Sequence, residues 1–386
     1  MKPSKDNSYC YYPFKQLAIS HWNQDGIQCV NPCCNMASPV DPDPLGTNKN
    51  IHNNVEELFN LPQLQNIRTE MLEGKYPRAC QGCYNAEKTM GNSPRLMLDT
   101  TVDNKLEWLD IHLGNKCNLR CRMCHPALSS QLNKDAELFE KNGYKYWWSS
   151  IPDIEPHDIR ILYPVLKDIT NIRVSGGEPL LSNQFLELLD YCIDNGYAEN
   201  ITLEMHTNAT KFSNANVYRL NKFKKINATF SIDGVGKVYE YTRYPFSFEI
   251  LENNVKNFFD KIENYSVQIN FVATTYNFLD IRNTVKWAEK YNFEDIVITN
   301  VFPIERAIDV CWLPNNLLML GSDLINGLGY QTQSFNNYLA SCIHNNKYSI
   351  DKIRELKIET MHFDKNRQQS YKTYLHPELV KVLDSV

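Results

Sequence analysis

Three cysteines at positions 117, 121 and 124 lie in one short segment, CNLRCRMCHP. Cysteine thiolates bind iron–sulfur clusters, and a four-iron cube offers four corners to its ligands. Three thiolates on one loop therefore leave one iron open to another ligand. Structural zinc normally takes four protein ligands, and His125 is the available fourth, although it directly follows Cys124. The segment predicts a [4Fe-4S] cluster bound by Cys117, Cys121 and Cys124, with zinc as the alternative.

The chain contains twelve cysteines in total. Its N-terminal sequence, MKPSKDNSYCYYPF, lacks the apolar segment and the cleavage site of a secretory signal, so we expect a cytoplasmic protein. A reducing compartment keeps thiols free, and metal binding becomes the leading use of so many cysteines. Cys192, Cys311 and Cys342 stand alone among apolar neighbours, where a cysteine behaves as a small hydrophobic residue.

Length and composition are those of a globular protein with more than one domain. The chain has 386 residues, of which 42% are hydrophobic and 22% charged. No apolar run is long enough to span a bilayer. The net charge of −5 gives no overall attraction for nucleic acid or for an anionic membrane. We therefore expect neither nucleic acid nor a membrane as a partner.

Short β-rich runs alternate with amphipathic helical patterns from Trp108 onward, which is typical of βαβ units. In the helical segment SNQFLELLDYCIDNG, Ser182 is the predicted N-cap and Gly196 the predicted end. Right-handed crossovers would curl such strands into a partly closed parallel barrel with its chemistry at the carboxyl ends of the strands. Six strands are predicted: LEWLDIHL (106–113), NIRVSG (171–176), ITLEMHT (201–207), INATFSID (226–233), SVQINFVAT (266–274) and DIVITNVF (295–302).

The predicted fold class is thus α/β, a partial (β/α)6 TIM-like barrel with a small cysteine-rich N-terminal domain and a helical C-terminal extension. The N-terminal part shows little periodicity apart from one or two helices broken at Pro62. After the sixth strand, LPNNLLMLGSDLINGLGYQ and LHPELVKVLDSV are helical in pattern. We predict domains at residues 1–95, 96–305 and 306–386.

The loop CxxxCxxC directly after a strand resembles the radical S-adenosylmethionine (radical SAM) superfamily, and the resemblance covers residues 105–303. Further segments at successive strand ends strengthen it. GGEP at 176–179 is similar to the segment that binds the amino acid end of SAM in this family. HTNAT resembles the TNG segment of the family, with Ala209 in place of glycine.

The resemblance implies a set of SAM contacts beyond the cluster. Met123 stands where the family commonly has an aromatic residue, and a thioether can also cover adenine. Arg243 matches a place where related enzymes often carry an arginine near the SAM carboxylate. The full set of implied SAM-binding residues is Gly176, Gly177, Glu178, Pro179, Asn208, Ser231, Asp233, Arg243, Val301, Phe302 and Met123.

The N-terminal cysteines resemble those of the SPASM and twitch extensions, which hold auxiliary iron–sulfur clusters in radical SAM enzymes. The implied ligands of a second [4Fe-4S] cluster are Cys10, Cys33, Cys80 and Cys83. Cys29 and Cys34 remain alternatives to Cys33. A structural zinc bound by four thiolates is the alternative interpretation of the group.

The resemblance implies an enzyme that reductively cleaves SAM to a 5′-deoxyadenosyl radical, which abstracts hydrogen from a substrate. A peptide side chain or backbone is the leading substrate. Alternatives are a radical SAM oxidase or epimerase acting on a sugar, nucleoside or amino acid, and an iron–sulfur electron carrier that does not cleave SAM. An electron donor such as flavodoxin or ferredoxin is an expected partner. The sequence identifies no catalytic acid or base.

Overall fold

The computed structural model of the chain describes residues 4, 7–21, 28–33, 55–97, 104–154, 158–301, 306–329 and 332–386. The chain folds into two compact units. Unit 1 comprises Met1–Gly114, Ile154–Met205 and Lys222–Lys225. Unit 2 comprises Asn115–Asp153, His206–Asn221 and Ile226–Val386.

The described residues contain an eight-stranded, mostly parallel sheet. In unit 1 the strand order is β2-β1-β3-β4-β5, and in unit 2 it is β6-β7-β8. The strands alternate with helices, which confirms the predicted α/β class with a partial barrel and C-terminal helices. The strands are β1 (Gln16–His21), β2 (Gln28–Asn31), β3 (Trp108–His112), β4 (Asn171–Ser175), β5 (Thr202–Thr207), β6 (Lys225–Ser231), β7 (Tyr265–Ala273) and β8 (Asp295–Asn300).

All six predicted strands are present as β3 to β8, whereas β1 and β2 were not predicted. Strand β1 pairs in parallel with β3, with Gln16 opposite Trp108, and antiparallel with β2. The N-terminal segment therefore adds strands to the sheet of unit 1. This N-terminal segment and residues 154–205 belong to the same compact unit, unit 1.

One face of the strands is apolar and covered. In unit 1, Leu109, Ile172, Val174 and Leu203 are completely buried. Their neighbours along each strand point to the opposite face, because side chains alternate along a strand. Unit 2 repeats the pattern: β6 and β7 alternate buried and half-buried positions.

The helices confirm the predicted boundaries where a cap or a proline defines them. Pro62 begins α3, and the Ser182 hydroxyl accepts a hydrogen bond from the Phe185 N–H at the start of α6 (3.4 Å). Gly196 follows α6 with a positive φ of 71°. The helices are α1 (Tyr12–Lys15), α2 (Val55–Phe59), α3 (Pro62–Leu72), α4 (Gln81–Met90), α5 (Asn133–Lys141), α6 (Asn183–Asp194), α7 (Asn214–Leu220), α8 (Gly236–Thr242), α9 (Phe248–Lys261), α10 (Ile281–Ala288), α11 (Asn315–Ile325), α12 (Gln333–His344), α13 (Ile350–Arg367), α14 (Tyr371–Tyr374) and α15 (Pro377–Asp384).

Helices α11 to α15 make up the predicted C-terminal extension and belong to unit 2. Each longer helix buries an apolar stripe, for example Ile353, Leu356 and Phe363 in α13. Across the described part of the chain, none of the helices has the length and apolar character needed to cross a bilayer.

Candidate active site

The three-cysteine loop of unit 2 is closed by hydrogen bonds across its base. The side-chain amide of Asn115 donates to the Pro126 carbonyl (2.9 Å), and the Asn115 carbonyl accepts from the Ser130 N–H (2.8 Å). Asn115 is 1% exposed. Buried polar groups need such partners, so these bonds define one loop conformation. The ten residues between Asn115 and Pro126 carry all three cysteines.

Two side chains donate hydrogen bonds to the sulfur atoms of the loop. The Asn208 amide lies 3.7 Å from Sγ of Cys117, and Nη1 of Arg243 lies 3.8 Å from Sγ of Cys121. Hydrogen bonds of this kind stabilise the thiolate form and tune the reduction potential of a bound cluster. The structure therefore brings two predicted SAM-binding residues to the sulfurs of the predicted cluster ligands.

Arg243 also pairs with Asp233, another predicted SAM-binding residue. Nη2 of Arg243 lies 2.6 Å from Oδ2 of Asp233, which is completely buried. Burial raises the pKa of the Asp233 carboxyl, while the Arg243 charge and the Val272 N–H lower it. Oδ1 of Asp233 accepts from that N–H at 2.7 Å. Arg243 is thus held by a buried carboxylate while it points at a sulfur.

The segment after β5 carries Asn208 in a turn stabilised by its own side chains. Oδ1 of Asn208 accepts from the Thr210 N–H (3.0 Å), and its Nδ2 donates to Asn118 (3.0 Å). Ala209 adopts a φ of 59°, a left-handed conformation that favours glycine. Alanine therefore occupies a backbone conformation here that glycine adopts more readily.

The two arginines of the cluster loop are paired with carboxylates. Arg122 is 1% exposed, its Nη2 lies 2.6 Å from Asp364, and its guanidinium stacks 3.6 Å from the Tyr241 ring centroid. Arg120 lies 3.6 Å from Asp135. Both arginines therefore pair with acids of unit 2. Their contribution is to anchor the loop on α5 and α13.

Met123 and Val301 lie buried in unit 2, at 9% and 2% exposure. The Met123 carbonyl accepts from Nη1 of Arg306 (2.8 Å), and Nη2 of Arg306 contacts the Tyr146 hydroxyl (3.3 Å). That hydroxyl in turn donates to Glu359 (3.4 Å). Hydrogen bonds thus link the loop to a buried carboxyl on α13.

The remaining predicted residues of this region have defined places. Ser231 ends β6 and is half-buried, and Phe302 lies outside the described residues. Tyr239 and Tyr241 are completely buried and pack within unit 2. Trp148 packs against Phe139, whereas Trp147 is 42% exposed.

Glu359 makes the stability of unit 2 depend on pH. Burial raises the pKa of its carboxyl to about 7, against an ordinary value of 4.5. The folded protein therefore holds a proton that the unfolded chain has lost, and stability falls as pH rises through this window, by about 2 to 3 kcal/mol. We expect Glu359→Gln to remove this loss. Denaturant unfolding of both proteins at about pH 5 and about pH 8 measures it.

Glu137→Gln, at an exposed position of α5, is the matched control and is expected to keep the wild-type pH dependence. Equal pH dependence in the wild type and in Glu359→Gln would contradict the assignment.

The GGEP segment belongs to unit 1 and follows β4. Gly176 has a φ of 114°, and a Cβ there would lie 2.7 Å from the Gly114 carbonyl oxygen and 2.9 Å from the Leu113 nitrogen. The Gly177 N–H donates to the same carbonyl (2.9 Å). Close approach of the two backbones therefore requires glycine at position 176.

Glu178 is 2% exposed and caps the short 3-10 helix Pro179–Leu181, because Oε1 accepts from the Leu180 N–H (3.2 Å). The structure thus gives this carboxylate a local structural role. A contact between Glu178 and an ammonium group stays a prediction.

Gly176→Ala tests the backbone contact directly. We expect the free energy of unfolding to fall by about 2 to 4 kcal/mol, because the new Cβ meets backbone atoms and the φ is unfavourable for alanine. Gly329→Ala is the control, since no atom lies within 4 Å of a Cβ at that position. A loss as small as that of the control would contradict the contact.

The four predicted ligands of the auxiliary cluster line one pocket of unit 1. The pocket is lined by Arg95 and by the four cysteines Cys10, Cys33, Cys80 and Cys83. Cys10 precedes α1, Cys33 follows β2, and Cys80 and Cys83 lie at the start of α4. The structure therefore brings together the residues that the sequence resemblance selected. Cys34 lies outside the described residues, and the side chain of Cys29 is not described.

Arg95 fixes the N-terminal segment at this pocket. It is 1% exposed, and it donates to Glu87 through Nε (2.7 Å) and to the Tyr9 carbonyl through Nη1 (2.8 Å). The Tyr84 hydroxyl donates to the Ser8 carbonyl (2.8 Å). Both contacts hold the backbone next to Cys10.

Burial disfavours the thiolate form of several cysteines at the two sites in the protein alone. It raises the pKa of Cys10 to about 12, and it raises the pKa of Cys80, Cys121 and Cys124 as well. Metal ions bind thiolates, so cluster binding at either site releases protons and strengthens as pH rises. The described residues contain no three His, Cys, Asp or Glu side chains that converge on a single metal ion. A cube instead binds its thiolates at separate corners.

The sequence model of the radical SAM superfamily matches residues 111–288, which include the cysteine loop, GGEP, HTNAT and the segment SIDG at 231–234. This part of the chain is a radical SAM domain. The match favours an enzyme over a pure electron carrier. The superfamily assignment implies a [4Fe-4S] cluster and SAM as cofactors, and the three thiolates with their N–H donors fit such a cluster.

Among curated proteins, no significant match was found. Similar solved structures include Streptococcus suis SuiB bound to SAM, at 15% identity and TM-score 0.37, covering 78% of this chain and 54% of SuiB. SAM-bound anSMEcpe has 17% identity and TM-score 0.41, covering 57% and 59%. The methyltransferase TsrM from Kitasatospora setae has 11% identity and TM-score 0.37, covering 52% and 39%. The radical SAM enzyme described here spans less than two thirds of each of these chains.

Sequence patterns missed several residues of the radical SAM site. The cysteine loop is supported by side chains distant in sequence. These are Glu359 and Asp364 of α13, and Arg306, which precedes α11. They lie far from the loop in sequence, with 242 positions between Arg122 and Asp364. Charged residues are common along α13, so its sequence did not single out Asp364.

Proposed function

We propose that this enzyme reductively cleaves SAM at a [4Fe-4S] cluster held by Cys117, Cys121 and Cys124, and that the 5′-deoxyadenosyl radical so produced abstracts hydrogen from a peptide. The supporting observation is the closed loop that presents three thiols, two of them hydrogen-bonded by Asn208 and Arg243. A loop with three thiols is suited to leave one corner of a cube open.

The residues around the loop have separate tasks in this proposal. Asn208 and Arg243 donate hydrogen bonds to two sulfurs and offset their negative charge. Asp233 holds the Arg243 guanidinium in place. Met123 is buried beside the loop and contributes to the exclusion of water.

Gly176–Pro179 would bind the amino end of SAM, since a glycine backbone without side chains permits close approach of a ligand. Glu178 would supply a carboxylate to the ammonium group. Ser231 at the end of β6 would bind the ribose or carboxylate, and the backbone of Val301 and Phe302 would lie against adenine.

Cys10, Cys33, Cys80 and Cys83 would bind an auxiliary [4Fe-4S] cluster. The support is their convergence on one pocket with the buried Arg95. With four thiolates this cluster has no open iron, which suits electron transfer or a structural role. A flavodoxin or ferredoxin would supply the electrons, which fits a reducing compartment such as the cytoplasm.

A peptide substrate is supported by the edge of the sheet. Strand β2 is the first strand in the sheet order, and an extended peptide can add to an edge strand through main-chain hydrogen bonds. Extended binding of this kind would place a side chain or backbone position for hydrogen abstraction.

Anaerobic reconstitution tests the proposal. The protein is expected to bind iron and sulfide and, with SAM and dithionite, to release 5′-deoxyadenosine. Peptides are then tested for deuterium transfer from the substrate into 5′-deoxyadenosine. Transfer from a sugar, nucleoside or free amino acid instead would contradict the peptide substrate, and absence of 5′-deoxyadenosine would contradict the reaction.

A further inference from the structure

One face of the unit 1 strands is polar and in part accessible to solvent. Arg173 in β4 and Glu204 in β5 have side chains that are 20% and 19% exposed in the middle of parallel strands. Parallel strands covered on both faces are normally continuous apolar runs. An accessible polar face on a parallel sheet therefore points to a ligand surface.

Four side chains form a row across this face. Nε2 of Gln16 in β1 donates to Oδ2 of Asp110 in β3 (3.1 Å), and Nη1 of Arg173 lies 3.6 Å from the same oxygen. Nε of Arg173 donates to Oε2 of Glu204 (2.9 Å). The register places Asp110 opposite Arg173, and Arg173 opposite Glu204.

The four side chains of the row carry more negative than positive charge. One acceptor atom of the row, on Gln16, also lacks a donor among the described residues. Asp110 and Glu204 bring two carboxylates against one guanidinium. Gln16 is completely buried, and its Oε1 has no hydrogen-bond partner among the described residues. The indole N–H of Trp108, in the same register, is also without a partner there. Both buried groups lie at one end of the row, where an unsatisfied polar atom is costly.

We propose that this row, Gln16, Asp110, Arg173 and Glu204, binds a positively charged group of the substrate, an ammonium or a guanidinium. The proposal rests on the proposed function, since it names the side-chain chemistry of the peptide on which the enzyme acts. Glu204 is the primary contact, because only its Oε2 is engaged by Arg173 and its side chain is accessible. A carboxylate at a partly buried site gains more from a cation than one in bulk water does.

Arg173 tunes the site. Its guanidinium pairs with both carboxylates, and one positive charge offsets only one of their two negative charges. The row therefore keeps a net negative charge. A neutral or anionic substrate group would find one guanidinium that is already bonded to Glu204. A cation would find the second oxygen of Glu204.

The test measures binding to the reconstituted full-length protein by ligand-observed NMR. The probes are Nα-acetyl-lysine methylamide, its norleucine isostere without the charge, and the anionic α-aminoadipate analogue. We expect the cationic probe to bind about ten- to hundredfold more tightly than either of the others, the range of one hydrogen bond to a charged group. Equal binding of the three probes, or tightest binding of the anion, would overturn the proposal.

Three variants locate the site. Glu204→Gln is expected to reduce the preference for the cation to less than about twofold, whereas Glu199→Gln, at an exposed position of the same unit, keeps it. Arg173→Gln is expected to increase the preference, because it removes the competing cation. An unchanged preference in a folded Glu204→Gln, or a reduced one in Arg173→Gln, contradicts the assignment.

Failure of the proposed function is a separate result. Release of 5′-deoxyadenosine from SAM and dithionite needs no substrate contact at this row. If that release is observed and the probes bind alike, only the substrate assignment is wrong. If the cationic probe binds most tightly but no 5′-deoxyadenosine is released, the cation-binding row is supported and the radical chemistry is contradicted.

Discussion

Replacement of Cys117, Cys121 and Cys124 together by alanine is expected to remove about four irons per chain and to reduce SAM cleavage to background. The three thiols lie on one loop closed by Asn115, and they are the three cysteines of that loop. Iron and sulfide analysis of anaerobically reconstituted protein measures the first effect. Chromatographic detection of 5′-deoxyadenosine measures the second.

Two control variants make this result specific. Cys192→Ala removes a completely buried thiol outside both groups, and it is expected to leave the iron content unchanged. Cys80→Ala with Cys83→Ala is expected to remove the other cluster and to retain the triad cluster. Full iron content in the triad variant would show that the loop is not the cluster site.

Replacement of Asp364 by alanine is expected to lower the free energy of unfolding by about 3 to 5 kcal/mol, because it leaves Arg122 as a buried charge without its carboxylate. Asp364 lies 2.6 Å from Nη2 of Arg122 and also accepts from the Tyr241 hydroxyl (2.8 Å). Its other oxygen accepts from the Tyr371 N–H (2.6 Å). The loss is measured by denaturant unfolding, and the cluster loop is expected to lose iron in parallel.

Asp351→Asn is the matched control on the same helix. Its side chain is 87% exposed and pairs only with Arg354 on the surface, at 3.1 Å. Exposed pairs contribute about 0 to 1 kcal/mol, so this variant should keep its stability and its iron. A similar small loss in Asp364→Ala would mean that α13 does not anchor the loop.

The positions of the barrel strands were predictable because alternating side chains and flanking turns are local signals. The strand NIRVSG, for example, was expected at 171–176 and is observed as Asn171–Ser175. The cysteine loop was predictable for the same reason, since all three thiols lie within eight residues. Local spacing was sufficient in both cases.

The support of the loop was not predictable because it depends on distant packing. Strands β1 and β2 contain the polar residues Gln16 and Gln28, and the pairing of β1 with β3 is a long-range contact. Nothing adjacent to Arg122 in sequence indicates that Asp364 is its partner. Sequence therefore predicted which residues carry the chemistry, and the structure shows which residues hold them.

Arg243 makes contacts that the resemblance did not imply. The resemblance suggested a partner on SAM, whereas in the structure its guanidinium contacts Sγ of Cys121 and the Asp233 carboxylate. Cys121 lies 122 positions from Arg243 in the sequence, and Asp233 precedes α8 whereas Arg243 follows it. Tertiary packing brings the three side chains together.

The most direct test of an open iron at the triad is pulsed electron–nuclear double resonance on reduced protein mixed with SAM labelled with ¹⁵N in its amino group and ¹⁷O in its carboxylate. The Cys80→Ala, Cys83→Ala variant is used so that only one cluster contributes. We expect hyperfine coupling from both labels, because the amino and carboxylate groups would bind the iron that no cysteine holds. A triad cluster with no coupling to either label, or zinc bound at the triad, would contradict the account.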